Sequence, residues 1–249
     1  MEHNIVNISL GENCLMDALL KKYGIKQESY VFGSVRTNIE YNFEIIKDNF
    51  EDLLKPNLLL KKTVDNFEQK VVKNKKYSKV QNNIYSKSTI DSFEFTHHNV
   101  LDNNKDIESY NRKIKRTKIA LESNDIIFWY HYRYSTNNNL EILINQFVDF
   151  IEYLSKKNKK KYQVCIFTQI VSDDIHFINE QYNNNVNVVK CYEKNVWDGT
   201  LVCNEYTYPV LSLTKLVYLR PWFKQAQQQW SSSSRLTVDT VVVQARVLS

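Results

Sequence analysis

The sequence predicts an α/β fold: one domain with a central, mostly parallel sheet and helices on its faces. Three observations carry this reading. Short β-branched and aromatic runs alternate with segments of helical period, the order that builds strand–helix–strand units. The strongest run, Asp125 to Tyr132, is apolar without alternation, as a strand buried on both faces must be. The chain has 249 residues, 43% hydrophobic and 13% aromatic, enough for one sizeable core, and it shows no internal repeat.

In chain order, Ile5 to Leu10 reads as a strand. Leu15 to Tyr23 reads as a helix, with Asn13 as a cap and Gly24 at the position of a C-terminal glycine. Asn38 to Leu54 has helical period and stops before Pro56. Residues 57 to 92 are less regular, and Lys, Asn and Ser dominate between 73 and 88, which reads as a long loop or a poorly ordered insertion. Phe93 to Thr96 is short and extended, and Asp106 to Glu122 is a basic helix. The strand at Asp125 to Tyr132 is followed by an amphipathic helix from Leu140 to Leu154. Strands follow at Tyr162 to Thr168 and Val186 to Tyr192, with a helix expected between them. The domain is expected to span residues 1–224. After Lys224 the chain holds no further Lys or Asn, so residues 225–249 read as an atypical tail, either foreign to the domain or disordered; the competing reading is an ordinary strand, Thr237 to Val243, after a Ser-rich linker.

Composition also excludes functions. Only four glycines occur, with no GxGxxG and no GxxxxGK[ST] string, so the dinucleotide and P-loop readings lose their support. The net charge of +5 sits largely in lysine runs such as Lys73–Lys76 and Lys156–Lys161, which read as solvated loops. A nucleic-acid partner is not expected. No run of about 18 apolar residues is present and no secretory signal is visible, so a cytoplasmic protein without a membrane span is expected. Cys14, Cys165, Cys191 and Cys203 fit neither a zinc knuckle nor a redox pair, and no metal or other cofactor is expected.

The chemistry concentrates at Gly11-Glu-Asn-Cys14. A strand ends at Gly11 and a helix begins near Asn13, which puts Cys14 in a first helical turn at the C-terminal edge of a sheet. Unpaired N–H groups there lower a thiol pKa and can hold an oxyanion, and open α/β sheets place their sites on that edge. A buried, inert thiol is the competing reading. A thiol nucleophile needs a base. His97 and His98 end an extended segment, where neighbours face opposite ways and only one of them can face Cys14. His131 and Arg133 share a strand face, so they form either an anion site or a satisfied core histidine. His176 follows Asp173 and Asp174, a weak pattern.

Several of these strings together resemble a family of uncharacterised proteins to which a papain-like cysteine peptidase activity has been assigned by inference. Ser9-Leu-Gly-x-x-Cys14-x-x-x-Ala18 resembles its opening motif, and Ser29-Tyr-Val-Phe-Gly33 its aromatic segment. Phe95-Thr-His97-His98 resembles its Phe-x-His-Asp motif, Tyr110-Asn-Arg112-Lys-Ile-Lys-Arg116 its Tyr-x-Arg helix, and Ile127 to Arg133 its later strand. The similarity covers roughly residues 5 to 170. The chain departs from the pattern at Val31-Phe-Gly-Ser34, which lacks an Asp and a Trp, and at His98, where the family has Asp.

The resemblance implies Cys14 as nucleophile and His97 as base, with Asn99 as orienting residue and Asp102 and Asp174 as alternatives. Gly11, Asn13, Arg112, Arg116 and Arg133 are the expected binding residues. The expected substrate is a peptide, acyl or glycan-linked group. Two other classes compete: an α/β transferase of glycan biosynthesis that holds an anionic donor on its arginines, and a non-catalytic binding module.

Overall fold

Ile5–Ser9 forms β1, and its neighbour in space is a strand more than a hundred residues away, Asp125–Tyr132, with Val6 opposite Ile126 and Ser9 opposite Trp129. This parallel pair needs a long crossover, and the chain between them supplies it. The computed structural model describes residues 5–63, 70–85, 87–133, 140–174 and 176–194. Within that crossover lie helix α1 (Leu15–Lys22), a 3-10 turn (Val31–Ser34), helix α2 (Ile39–Lys47), strands β2 (Leu59–Thr63) and β3 (Lys70–Asn74), the short α3 (Lys87–Ile90), strand β4 (Phe93–Phe95) and helix α4 (Asn104–Ser123). Then come β5 (Asp125–Tyr132), α5 (Leu140–Asn158), β6 (Tyr162–Val171), β7 (His176–Gln181) and β8 (Val186–Glu193).

The main sheet has five strands in the order β1-β5-β6-β8-β7. All its pairings are parallel except that of β7 with β8. This is the mixed α/β single domain that the sequence predicts. β5 is buried along its whole length, which explains its unbroken apolar run. Alternate β5 residues serve two cores. Phe128, Tyr130 and Tyr132 meet one that includes residues of α2, α4 and α5. Ile127 and Trp129 join Leu15, Met16, Leu19 and Leu20 of α1 in the other.

Three expectations are corrected. The less regular stretch 57–92 carries β2 and β3, which with β4 form an antiparallel sheet, so the loop expected at 73–88 begins only after Asn74 and ends where α3 starts at Lys87. The sheet's anchors are distant in sequence, which hid it. Val71 and Val72 are buried, and Lys76 Nζ reaches Asp48 and Asp52, each at 2.7 Å. Helix α2 ends at Lys47 rather than Leu54. Asn49 and Phe50 take positive φ (56° and 62°), and Phe50 N–H donates back to the Ile45 carbonyl at 2.8 Å. This turns Phe50 into the core while the apolar period continues. No helix lies between β6 and β8; β7 forms an antiparallel edge there instead. The tail expected at 225–249, and Cys203, lie outside the described residues. Among the described residues, no helix is long and apolar enough to cross a membrane.

Candidate active site

β1 continues past its last regular residue alongside β5. Leu10 N–H donates to Trp129 O (2.8 Å), His131 N–H to Gly11 O (3.0 Å) and Glu12 N–H to His131 O (3.3 Å). Gly11 has φ +91°, and a Cβ there would stand 2.7 Å from the Thr37 methyl, so this position needs glycine twice over. The chain then turns, and Cys14 takes the N-cap position of α1 with no side-chain capping bond of its own. The capping oxygen comes from Asn13, whose Oδ1 accepts Leu15 N–H at 3.0 Å. Cys14 is therefore a partly exposed thiol at a helix start, at the C-terminal edge of a parallel strand pair. Cys165 and Cys191 are buried, and burial pushes the Cys165 thiol up to about 12.

Two titratable groups flank this turn from opposite faces of the sheet, both fully buried. Glu12 lies on the Tyr130 side, where one carboxylate oxygen accepts Arg133 N–H at 3.2 Å. Burial pushes this carboxyl up to about 8, against the Arg133 N–H, the Arg133 charge and Tyr130. His131 lies on the α1 side. Its Nδ1 is 3.3 Å from Asn13 Oδ1 and its Nε2 is 3.0 Å from the Gln169 side-chain oxygen. Burial pushes the ring down to about 3, which favours the neutral imidazole. Of the two readings open for His131, the structure shows the satisfied core histidine.

A seam of backbone bonds joins the cysteine turn to the histidine turn. Thr37 N–H donates to Glu12 O at 3.2 Å, and its neighbour Arg36 pairs with Glu94 of β4 through two bonds of 2.9 Å. One two-residue segment thus bridges the main sheet to the small one. Glu12, two residues before Cys14, and Glu94, three before His97, lie two strand spacings apart, about 10 Å. The Glu94 carboxylate is almost fully buried between Arg36 (3.3 Å) and Lys73 (3.4 Å), which fixes the base of the histidine turn.

Of the two histidines, His97 is exposed in the turn after β4. His98 is half-buried, with Nδ1 3.0 Å from Asp106 Oδ1, Nε2 3.3 Å from Lys113 Nζ, and its ring edge-on to Tyr110. Asp106, Tyr110 and Lys113 follow one another at helical spacing along α4 and form the face that receives His98. The bond from His98 holds the Asp106 carboxyl below the usual range, and burial lowers the Lys113 ammonium against the pull of Asp17. Asp17, in the first turn of α1, pairs with Lys26 at 2.6 Å and lies so close to Gly33 that a Cβ there would collide with its carboxylate. Asp17, Lys113 and His98 therefore lead from the cysteine helix to the histidine.

The remaining expected residues lie as follows. Asn99 donates its N–H to Asp106 Oδ2 at 2.8 Å, and its side chain bonds Asp102 (3.5 Å to the carboxylate, 3.2 Å from the Asp102 N–H), which ties the turn before α4. Asp102 is also ion-paired with Lys61. Asp174 bonds His176 beside the edge strand β7. Arg112 is exposed beside Glu108, whereas Arg116 donates to Ser29 O at 2.6 Å and pairs with Glu28. Arg133 stands at the end of β5, over Glu12. Asp106 and Lys113 were not read from the sequence. The signal for them was their spacing with Tyr110 on one helix face just after the His pair. Among the described residues, no group of three or more His, Cys, Asp or Glu could hold a metal ion.

A family model described as "Putative papain-like cysteine peptidase (DUF1796)" matches residues 5–174, which include the cysteine turn, the histidine turn and the strand carrying His131. Comparisons with curated proteins and with solved structures give no match.

Proposed function

We propose, since this chain belongs to the DUF1796 family, that it is a thiol-dependent hydrolase of amide or thioester bonds with a peptide-like substrate. Cys14 is the nucleophile, and one imidazole of the His97–His98 pair is the base. The observation that carries this reading is the placement of a partly exposed thiol at the start of α1, on the C-terminal edge of β1. The sequence takes His97 as base. Asp106 favours His98, because a carboxylate on one ring nitrogen fixes the tautomer and steadies the imidazolium that forms when the thiol proton is taken. Lys113 at the other nitrogen must then move aside as substrate enters.

The thiolate attacks the acyl carbon, and the developing oxyanion is met by N–H groups at the α1 start, in the turn of Gly11 and Asn13. The imidazolium returns the proton to the leaving amine or thiol as the carbon–heteroatom bond breaks. Water, deprotonated by the imidazole, then releases the acid from the acyl-cysteine. Asn99 supports the base indirectly, through Asp106. Arg133, Arg116 and Arg112 remain the candidates for holding an anionic part of the substrate; Arg116 is bonded to Ser29 O and paired with Glu28, while Arg112 is exposed beside Glu108. The test is hydrolysis of a panel of peptide anilides and peptide thioesters, followed by intact mass. A Cys14-linked acyl adduct and loss of turnover in Cys14→Ala are expected. Turnover that survives Cys14→Ala contradicts the reading.

A further inference from the structure

His131 is buried, sits in the strand beside the cysteine turn, and holds that turn in three ways. Its N–H and C=O clasp Gly11 and Glu12, and its ring reaches Asn13. The ring contact has a definite sense. A neutral imidazole has one N–H, yet an amide oxygen is placed at each of its nitrogens. The Asn13 oxygen is oriented independently, because it accepts Leu15 N–H. The ring hydrogen therefore belongs on Nδ1, donated to Asn13. Nε2 is then a lone pair, and Gln169 meets it with its NH2 end turned inward. That orientation also gives a partner to a Gln169 nitrogen otherwise buried without one.

We infer that His131 is a positioning residue for Cys14: its Nδ1–H holds the Asn13 cap, and the cap sets the start of α1 where the thiol stands. The inference rests on the hydrolase reading above and adds to it the group that fixes the nucleophile. Asn13 sets the tautomer and Gln169 complements it, so the chain Leu15–Asn13–His131–Gln169 runs from the first turn of α1 to the end of β6. Supporting groups of this kind govern where a reacting atom sits without touching it.

The experiment is the rate of iodoacetamide alkylation at Cys14 against pH, read by peptide mass, in the full chain and its variants. Buried Cys165 serves as the unfolding control in each sample. An asparagine places its NH2 where the imidazole has Nδ1, and a glutamine places it where the ring has Nε2. Alkylation in His131→Leu and His131→Gln is expected to slow by about tenfold, with the profile moved to higher pH, while Cys165 stays protected. His131→Asn should return the rate to within about threefold of the unsubstituted protein. Should Cys165 become reactive in His131→Leu, Asn13→Ser decides: it keeps a capping oxygen for Leu15 but falls short of His131, and the same slowing is expected. Unchanged profiles in His131→Leu or Asn13→Ser, or an asparagine no better than leucine, overturn the assignment. Ordinary alkylation at Cys14 in the unsubstituted protein overturns the hydrolase reading itself, so the two failures are distinguishable.

Discussion

The cysteine turn and the histidine turn are joined by one two-residue segment, yet they are held by different forces. The cysteine turn is held by backbone bonds to β5, a glycine that tolerates no Cβ, and two fully buried titratable groups driven to their neutral forms. Beyond the buried Glu94 at its base, the histidine turn is held by charged groups that are only partly buried: Asp106 bonded to His98, Lys113 beside them and Asp102 with Lys61. Buried neutral bonds fix a position and resist salt. Half-exposed ion pairs are worth little each, yield to salt and allow movement. The contrast suits the proposed reading, in which a fixed thiol meets an imidazole that must swing between two proton partners.

The largest expected effect breaks the cysteine side. Gly11→Ala forces a side chain into positive φ against Thr37, and a loss of about 3 kcal/mol is expected in denaturant unfolding. Next comes pH. Glu12 is raised from 4.5 to about 8, so its contribution to stability is full below 4.5 and declines as pH rises toward 8. His131 is lowered from 6.5 to about 3, so its contribution is full above 6.5 and declines as pH falls toward 3. The two slopes cancel between 4.5 and 6.5, and stability should form a plateau there with a fall on either side. From pH 6.5 to 8 the fall is about 2 kcal/mol, at about 1.4 kcal/mol per pH unit. Thermal unfolding of Glu12→Gln should show the acid-side fall alone; a fall retained above 6.5 contradicts the assignment.

On the histidine side, Asp106→Asn should slow Cys14 alkylation at neutral pH by about tenfold with little change in unfolding midpoint, since it removes an orienting charge from a half-exposed pair. The smallest effect separates the turns directly. Raising salt to about 1 M, where the Debye length is about 3 Å, should speed hydrogen exchange at Asn99 N–H, bonded to Asp106, and leave His131 N–H unchanged. Equal responses at the two amides would erase the contrast.

The same division governs what the sequence reveals. β1, β5 and α1 are legible because their signals are local: an unbroken apolar run, a helical period, a glycine between them. The thiol's position follows from those elements alone. The small sheet is not legible, because Lys73 to Lys76 reads as solvated until Glu94, Asp48 and Asp52 are brought to it by the fold. The partner of His98 is hidden for the same reason. Asp102 and Asn99 are nearer in sequence, but the first turn of α4 presents Asp106. The role of His131 depends on an oxygen from Asn13, 118 residues earlier, and no local pattern announces it.

The central claim is a reactive thiol–imidazole pair at Cys14. Its most direct test is the pH–rate profile of iodoacetamide at Cys14, with Cys165 and Cys191 as internal references, in the unsubstituted protein, His97→Ala and His98→Ala. The account predicts that Cys14 reacts far faster than either reference, with an apparent pKa well below the ordinary thiol value of about 8.5. It predicts that His98→Ala abolishes the difference and His97→Ala leaves it. A Cys14 that alkylates no faster than the buried cysteines, or with an ordinary thiol profile in all three proteins, contradicts it.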